Sequence, residues 1–175
     1  MDDPSPIADF SGLYRAHARD VHRFALFLSG DPALADDIVS ETFIRLWHAR
    51  ARVDLATVKA YLFAIARNLF LQQRRDARPT EELDERTADP DPTPDRRARA
   101  RDELRAVLAA LQTLPEVDRA ALLMRSQGDA SYQDIAAALG ISVAAARVKV
   151  HRARLKLAEA RSHGFPGRVA QELPR

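Results

Sequence analysis

The strongest concentration of chemically useful side chains lies near the end of the chain. Residues 141–175 hold eight bases (Arg147, Lys149, Arg152, Arg154, Lys156, Arg161, Arg168, Arg175) against two acids, Glu159 and Glu172, a net of +6. Within this stretch Val143, Ala146, Val150, Ala153 and Leu157 recur in steps of three and four, the spacing of a helix's buried stripe. The other faces then present Ala144, Ala145, Arg147, Val148, Lys149, His151, Arg152 and Arg154. Arginine pairs with guanine edges or phosphates, and an exposed Val148 suits a thymine methyl. Small residues in the first turn admit a close approach to a duplex. A solvated, arginine-rich helix is the plain competing reading, and the flanking residues weigh against it. Ser131-Tyr132-Gln133-Asp134 has the form of a capping box, with Asp in place of the usual Glu. Ile135, Ala136 and Leu139 make a short helix, Gly140 breaks it, and Ser142 caps the longer one. A short capped helix, a glycine turn and a longer capped helix are the grammar of a helix-turn-helix that reads duplex DNA, from Ser131 to about Ala158.

A second set of cations has a different setting. Lys59, Arg67, Arg74 and Arg75 fall on one helical segment with Tyr61, Phe63 and Phe70. Bases that stack and phosphates that need neutralising make this mixture suit single-stranded nucleic acid, although Leu62, Ile65 and Phe70 also serve as plain core. Asp36, Asp37 and Glu41, with Ile44 close by, form an acidic face that is either solvated or a partner surface. The five histidines (His17, His22, His48, His151, His163) show no metal-ligand spacing, and neither an HExxH motif nor a glycine-rich phosphate loop is present. The sequence therefore predicts no metal, no cofactor and no enzyme.

The elements that must position these residues are helical. Gly is scarce, at 6 of 175 residues, and the 46% hydrophobic share is enough for a core. With no Cys, a cytoplasmic home fits best, and no apolar run approaches the roughly 20 residues of a membrane span. Phe10 to Leu28 follows helical spacing until Gly30, and Asp31-Pro32 is an N-cap followed by a first-turn proline. A second stripe runs from Ala35 to Trp47, and a third from Val58 to Phe70. These three make a bundle over residues 8–75. Residues 76–95 then hold eight acids and two bases, a net of −6. The prolines of Asp89 to Asp95 forbid a helix there, so residues 76–96 read as a flexible, acidic, Pro-rich linker. Helical periodicity resumes at Leu104, Leu114-Pro115 opens a further helix, and a second block covers 97–162. Residues 163–175 are left as a short tail. The fold class is all-α, in two small helical domains.

Two passages together resemble the extracytoplasmic-function (ECF) subfamily of sigma-70 RNA polymerase sigma factors. One is Asp36-Asp37-Ile38-Val39-Ser40-Glu41-Thr42-Phe43-Ile44-Arg45-Leu46-Trp47, followed by Ala60-Tyr61-Leu62-Phe63-Ala64-Ile65-Ala66-Arg67-Asn68. The other is Leu114-Pro115, then Ser131-Tyr132-Gln133-Asp134-Ile135-Ala136, then His151-Arg152-Ala153-Arg154. The resemblance covers about residues 10–160. It implies a region 2 and a region 4 domain without regions 1.1 and 3, and it implies docking on core RNA polymerase, at the β′ clamp coiled coil and the β flap. Asp36, Asp37, Ser40, Glu41 and Ile44 become candidates for the clamp contact, with Ser40 standing where the family usually has Gln.

Promoter DNA is the second implied partner. Asn68 and the loop Arg52 to Ala56, with Arg52 and Val53, match positions that hold a flipped base of the minus-ten element. Lys59 and Arg67 would meet its backbone, and Tyr61 replaces the commoner Trp. Ser142, Ala144, Ala145, Arg147, Val148, Lys149, His151 and Arg152 match the positions that face the minus-thirty-five duplex. Ala144-Ala145-Ala146 stands in place of the usual Gly-Thr-Val. The linker would pass through the polymerase's RNA-exit channel, and an anti-sigma factor is the third implied partner, with no insertion into a membrane. Two rival readings follow from parts of the pattern: a stand-alone helix-turn-helix regulator, and a polymerase adaptor that no longer reads promoters. The first leaves the residues of the first block without a task, and Arg147, Lys149 and Arg152 argue against the second.

Overall fold

The structure, a computed structural model, describes residues 10–49, 58–76, 94–128 and 130–162. Every regular element among them is a helix: α1 (Phe10–Ser29), α2 (Pro32–Ala49), α3 (Val58–Asp76), α4 (Pro94–Gln112), α5 (Glu116–Gly128), α6 (Tyr132–Leu139) and α7 (Val143–Ser162). The loop Arg52 to Ala56, with its candidates Arg52 and Val53, lies outside the described residues, as do 77–93 and 163–175.

The helix boundaries follow local chemistry. Gly30 adopts φ 77°, in the left-handed region, and its N–H reaches Leu26 O at 2.8 Å, closing α1. Asp31 Oδ1 accepts from the N–H groups of Ala33 (2.9 Å) and Leu34 (3.1 Å), satisfying the free donors at the start of α2. The prolines of Asp89–Asp95 predict a wholly non-helical stretch, yet α4 begins at Pro94 and already includes Asp95. A proline in the first helical turn lacks only an N–H that would have no partner there, and its fixed φ already suits the helix.

In the first block, α1, α2 and α3 pack together through Val21, Phe24, Leu28, Ile38, Phe43, Leu46, Leu62 and Leu69, all buried. In the second, α5, α6 and α7 close over Leu122, Met124, Ile135, Val150 and Ala153. What the sequence did not foretell is that the two blocks share one core. Helix α5 packs on α1 and α3, and α6 also packs on α3. The ring of Phe63 stacks on Phe24 with centroids 4.4 Å apart and an interplanar angle of 9°. Its far edge faces Gly128, the last residue of α5, so closely that a Cβ there would stand 2.8 Å from the ring. Side-chain periodicity reports that a face is buried; it is silent on which neighbour buries it.

Candidate nucleic-acid interface

The helix-turn-helix is assembled by local hydrogen bonds. Ser131 Oγ accepts from Asp134 N at 3.1 Å while Asp134 Oδ2 accepts from Ser131 N at 2.9 Å, so the capping box is reciprocal even with Asp in the Glu position. Gly140 turns the chain at φ 65° and ψ 38°, and Ile141 N reaches back to Ala136 O at 3.0 Å. Ser142 Oγ accepts from Ala145 N at 3.1 Å and starts α7. Ala146, Val150 and Ala153 are buried as the stripe requires, with Val143 and Leu157 half-buried at its ends.

The opposite side of α7 is open. Ser142, Ala144, Arg147, Val148, His151 and Arg152 are exposed, Val148 by 52%, and Ala145 is half-exposed. An apolar side chain held out in water among cations is what contact with a thymine methyl beside phosphates would need. Arg147 lies over the ring of Tyr132, 5.4 Å from its centroid, and Arg125 lies 5.2 Å from the same centroid. Tyr132 thus steadies one of the candidate readers by a cation–π contact. Lys149 behaves differently from its neighbours. Its Nζ bonds Asp118 Oδ1 at 3.1 Å, and Asp118 is only 1% exposed. This ammonium ties α7 to α5.

On α3 the candidates divide between two faces. Tyr61 and Asn68, seven residues and about two turns apart, are both exposed on one face. Lys59 and Arg67 lie elsewhere on the helix and already have acidic partners. Lys59 Nζ is 2.7 Å from Asp20 Oδ2 of α1. Arg67 holds Glu116 of α5 in a two-point grip, Nε to Oε1 at 2.6 Å and Nη2 to Oε2 at 2.8 Å. The structure therefore sets Tyr61 and Asn68 on one exposed face and commits Lys59, half-buried, and Arg67, buried, to acidic partners.

On α2, Asp37, Ser40, Glu41 and Ile44 line an open groove of about 430 Å³ whose other wall includes Leu69 and Gln72 of α3. Arg45 braces it, donating to Glu41 Oε1 at 3.0 Å and to Gln72 Oε1 at 3.2 Å. Ile44 stands 51% exposed at its edge. Asp36 sits nearby but faces His22 of α1, at 3.1 Å from its Nε2.

Sequence reasoning missed Glu116, Asp118, Gln112 and Arg119. The guanidinium of Arg119 is buried, and that burial lowers its pKa from the usual arginine value, against the raising influence of Glu116. It donates to Leu111 O (3.2 Å) and Gln112 Oε1 (2.6 Å), and Gln112 Nε2 in turn donates to Phe27 O of α1 at 3.3 Å. Glu116 and Asp118 look in the sequence like acids placed to suit the start of α5. Their cationic partners lie 49 and 31 residues away, beyond any local pattern. No group of three or more His, Cys, Asp or Glu side chains capable of holding a metal occurs among the described residues.

An all-helical chain with a capped helix-turn-helix and an outward basic helix belongs among the nucleic-acid-binding proteins. Comparison with known proteins narrows the class. Residues 13–80 match the family model of sigma-70 region 2, and residues 104–157 match that of sigma-70 region 4. The ECF RNA polymerase sigma factor SigE of Mycolicibacterium smegmatis is 33% identical over 160 residues, which are 89% of this chain and 62% of that protein. SigL of Mycobacterium tuberculosis is 35% identical over 146 residues, 81% of this chain and 82% of that protein. Among solved structures, the sigma factor RpoE of Bartonella quintana, in complex with the anti-sigma factor NepR, aligns with a TM-score of 0.70 at 25% identity. That alignment covers 89% of this chain and 98% of the other. The chain belongs to the sigma-70 family, in its ECF subfamily. Against SigE it spans less than two thirds of the relative's length.

Proposed function

We propose that this chain binds core RNA polymerase and directs it to specific promoters, opening a minus-ten element with the first block and reading a minus-thirty-five duplex with α7. The observation that carries the reading is the outward row Arg147, Val148, His151 and Arg152 on a capped recognition helix, in a chain that matches region 2 as well as region 4. A stand-alone regulator would need only the second of these. The working division is region 2 at 8–75, a linker at 76–96, region 4 at 97–162 and a tail at 163–175.

In this reading the α2–α3 groove takes the polymerase clamp. Its acids, Asp37 and Glu41, suit a cationic helix, and Ile44 supplies apolar contact at the edge. Tyr61 and Asn68 receive an unpaired base, where stacking offsets part of the few kcal/mol that flipping costs. The protein acts as a non-catalytic subunit in the cytoplasm and leaves after initiation. No helix among the described residues is long and apolar enough to cross a membrane. An anti-sigma factor is a further partner, by analogy with the Bartonella complex.

Run-off transcription with purified core enzyme tests the whole reading. A promoter-dependent transcript is expected, and tight DNA binding without one would sink it. Asp37→Lys with Glu41→Lys should weaken core capture in a pull-down while the far-ultraviolet dichroism stays helical. Undiminished capture would remove the groove from the docking surface.

A further inference from the structure

Acids outnumber bases along the α2–α3 groove. Asp37, Glu41 and Asp76 line it, and Arg45 is the one cation among the described residues that do. Asp37 and Asp76 have no ion-pair partner among the described residues, whereas Glu41 is taken by Arg45. Glu41 stands four residues ahead of Arg45 on α2, the favoured order for a helical ion pair. The same guanidinium reaches across to the other wall. Its Nε donates to Glu41 Oε1 at 3.0 Å and its Nη2 to Gln72 Oε1 of α3 at 3.2 Å. Nε and Nη2 form an edge with which arginine meets two acceptors at once, and a lysine ammonium has no such edge. The carboxylate and the amide oxygen therefore make a seat shaped for a guanidinium, and the chain's own Arg45 sits in it. Arg45 and Glu41 are 41% and 43% exposed, so a partner can reach the pair.

We infer that Arg45 is a built-in competitor at the docking groove: its guanidinium holds, on Glu41 and Gln72, the place that an arginine of the docking partner takes by displacing it. This rests on the proposed docking of core polymerase in that groove. The exchange replaces one charge-assisted hydrogen bond with another, so Glu41 adds less to the affinity than its charge alone would give. Asp37, with no intramolecular cation to displace, adds its full attraction. Affinity at Glu41 is thus the difference between two cations competing for one carboxylate, and Arg45 lowers it.

The affinity of the whole chain for purified core RNA polymerase, measured by biolayer interferometry at several salt concentrations, tests the exchange. Arg45→Met keeps the apolar stem and removes the guanidinium. It should bind core about two- to fivefold more tightly at low salt, the worth of an exposed ion pair, and the gain should shrink as salt is raised. Arg45→Lys keeps the charge but cannot hold both acceptors, and should give a smaller gain in the same direction. In a Glu41→Gln background, where the seat has lost its charge, Arg45→Met should gain less than it does with Glu41 present. No gain with Arg45→Met, or a loss, overturns the competitor. An equal gain in both backgrounds overturns it as well, since Arg45 would then act only as bulk charge. Should Arg45→Met lose its helical dichroism, Arg45→Lys decides, and unchanged or weaker binding by that variant overturns the inference. The Asp37→Lys, Glu41→Lys pair keeps the docking reading distinct. Weakened capture there with no gain here sinks the competitor alone, and undiminished capture there sinks both.

Discussion

Helix α7 offers Arg147, Val148 and Arg152 to solvent in the same arrangement in which α3 has Lys59 and Arg67 committed to Asp20 and Glu116. The difference follows from what each helix packs against. α7 buries one narrow stripe of small residues, Ala146, Val150 and Ala153, into its own block and leaves Arg147, Val148, His151 and Arg152 exposed. α3 is sandwiched: one side faces α1 and α2, another faces α5 and α6, and only the strip with Tyr61 and Asn68 stays open. A duplex reader so placed draws only on its own block, through Tyr132 and Asp118, to be ready. A strand-opening surface that is half covered ties its availability to the packing of the whole molecule.

The coupling of the blocks should be most visible at Phe63. Its ring is shared between Phe24 on one side and Gly128 on the other. Phe63→Ala should cost about 3–5 kcal/mol in urea unfolding, the range for a fully packed aromatic. A loss below about 1 kcal/mol would mean that the second block does not roof the ring, and the contrast between α3 and α7 would collapse.

A paired substitution separates the two reading surfaces. Tyr61→Ala should weaken single-stranded DNA binding by about 1–3 kcal/mol, the worth of one stacked base, and leave duplex binding unchanged. Arg152→Ala should cut discrimination between minus-thirty-five sequences by about 1–3 kcal/mol and leave the strand alone. Equal losses on every duplex would turn Arg152 into a phosphate contact. Crossed effects would break the division of labour between α3 and α7.

Smaller still is the cap of α6. Ser131→Ala removes the acceptor of the Asp134 N–H and one of the two donors to the Asp134 carboxylate, leaving the backbone N–H of residue 131 on it, at a cost of about 1 kcal/mol in thermal unfolding. The loss should fall on duplex recognition, because α6 positions α7 through Tyr132 and Arg147. Strand affinity that fell in step would show the cap supporting both surfaces.

Where structure is fixed by neighbours in sequence, the chain is readable. The caps at Asp31, Ser131 and Ser142, the breaks at Gly30 and Gly140, and the Ala146-Val150-Ala153 stripe all depend on residues within about one turn, and all appear where the pattern puts them. The same holds for the outward faces of Ile44 and Val148. The Arg67–Glu116 and Lys149–Asp118 pairs were not readable, because each joins helices whose relative placement only the assembled core determines. Pro94 misled for the opposite reason: three prolines in a row of acids look uniformly non-helical, and only position within the first turn rescues the last of them.

A final, weak test lies on the α1 side of the α3 cations. His17 is half-buried with its pKa held below the ordinary imidazole value, by burial first and by the Lys59 cation second, with Asp20 opposing. Because the folded value lies below the unfolded one, the unfolded chain binds more protons in the interval between them. Stability should therefore be full above about pH 6.5 and decline as pH falls toward the folded-state value. His17→Gln should flatten that part of the curve in chemical unfolding followed at several pH values. The same decline surviving in His17→Gln would place the titration on another group. Repeating the series with Lys59→Met sharpens the assignment. Losing the Lys59 cation while Asp20 remains should raise the His17 pKa and shrink the pH dependence.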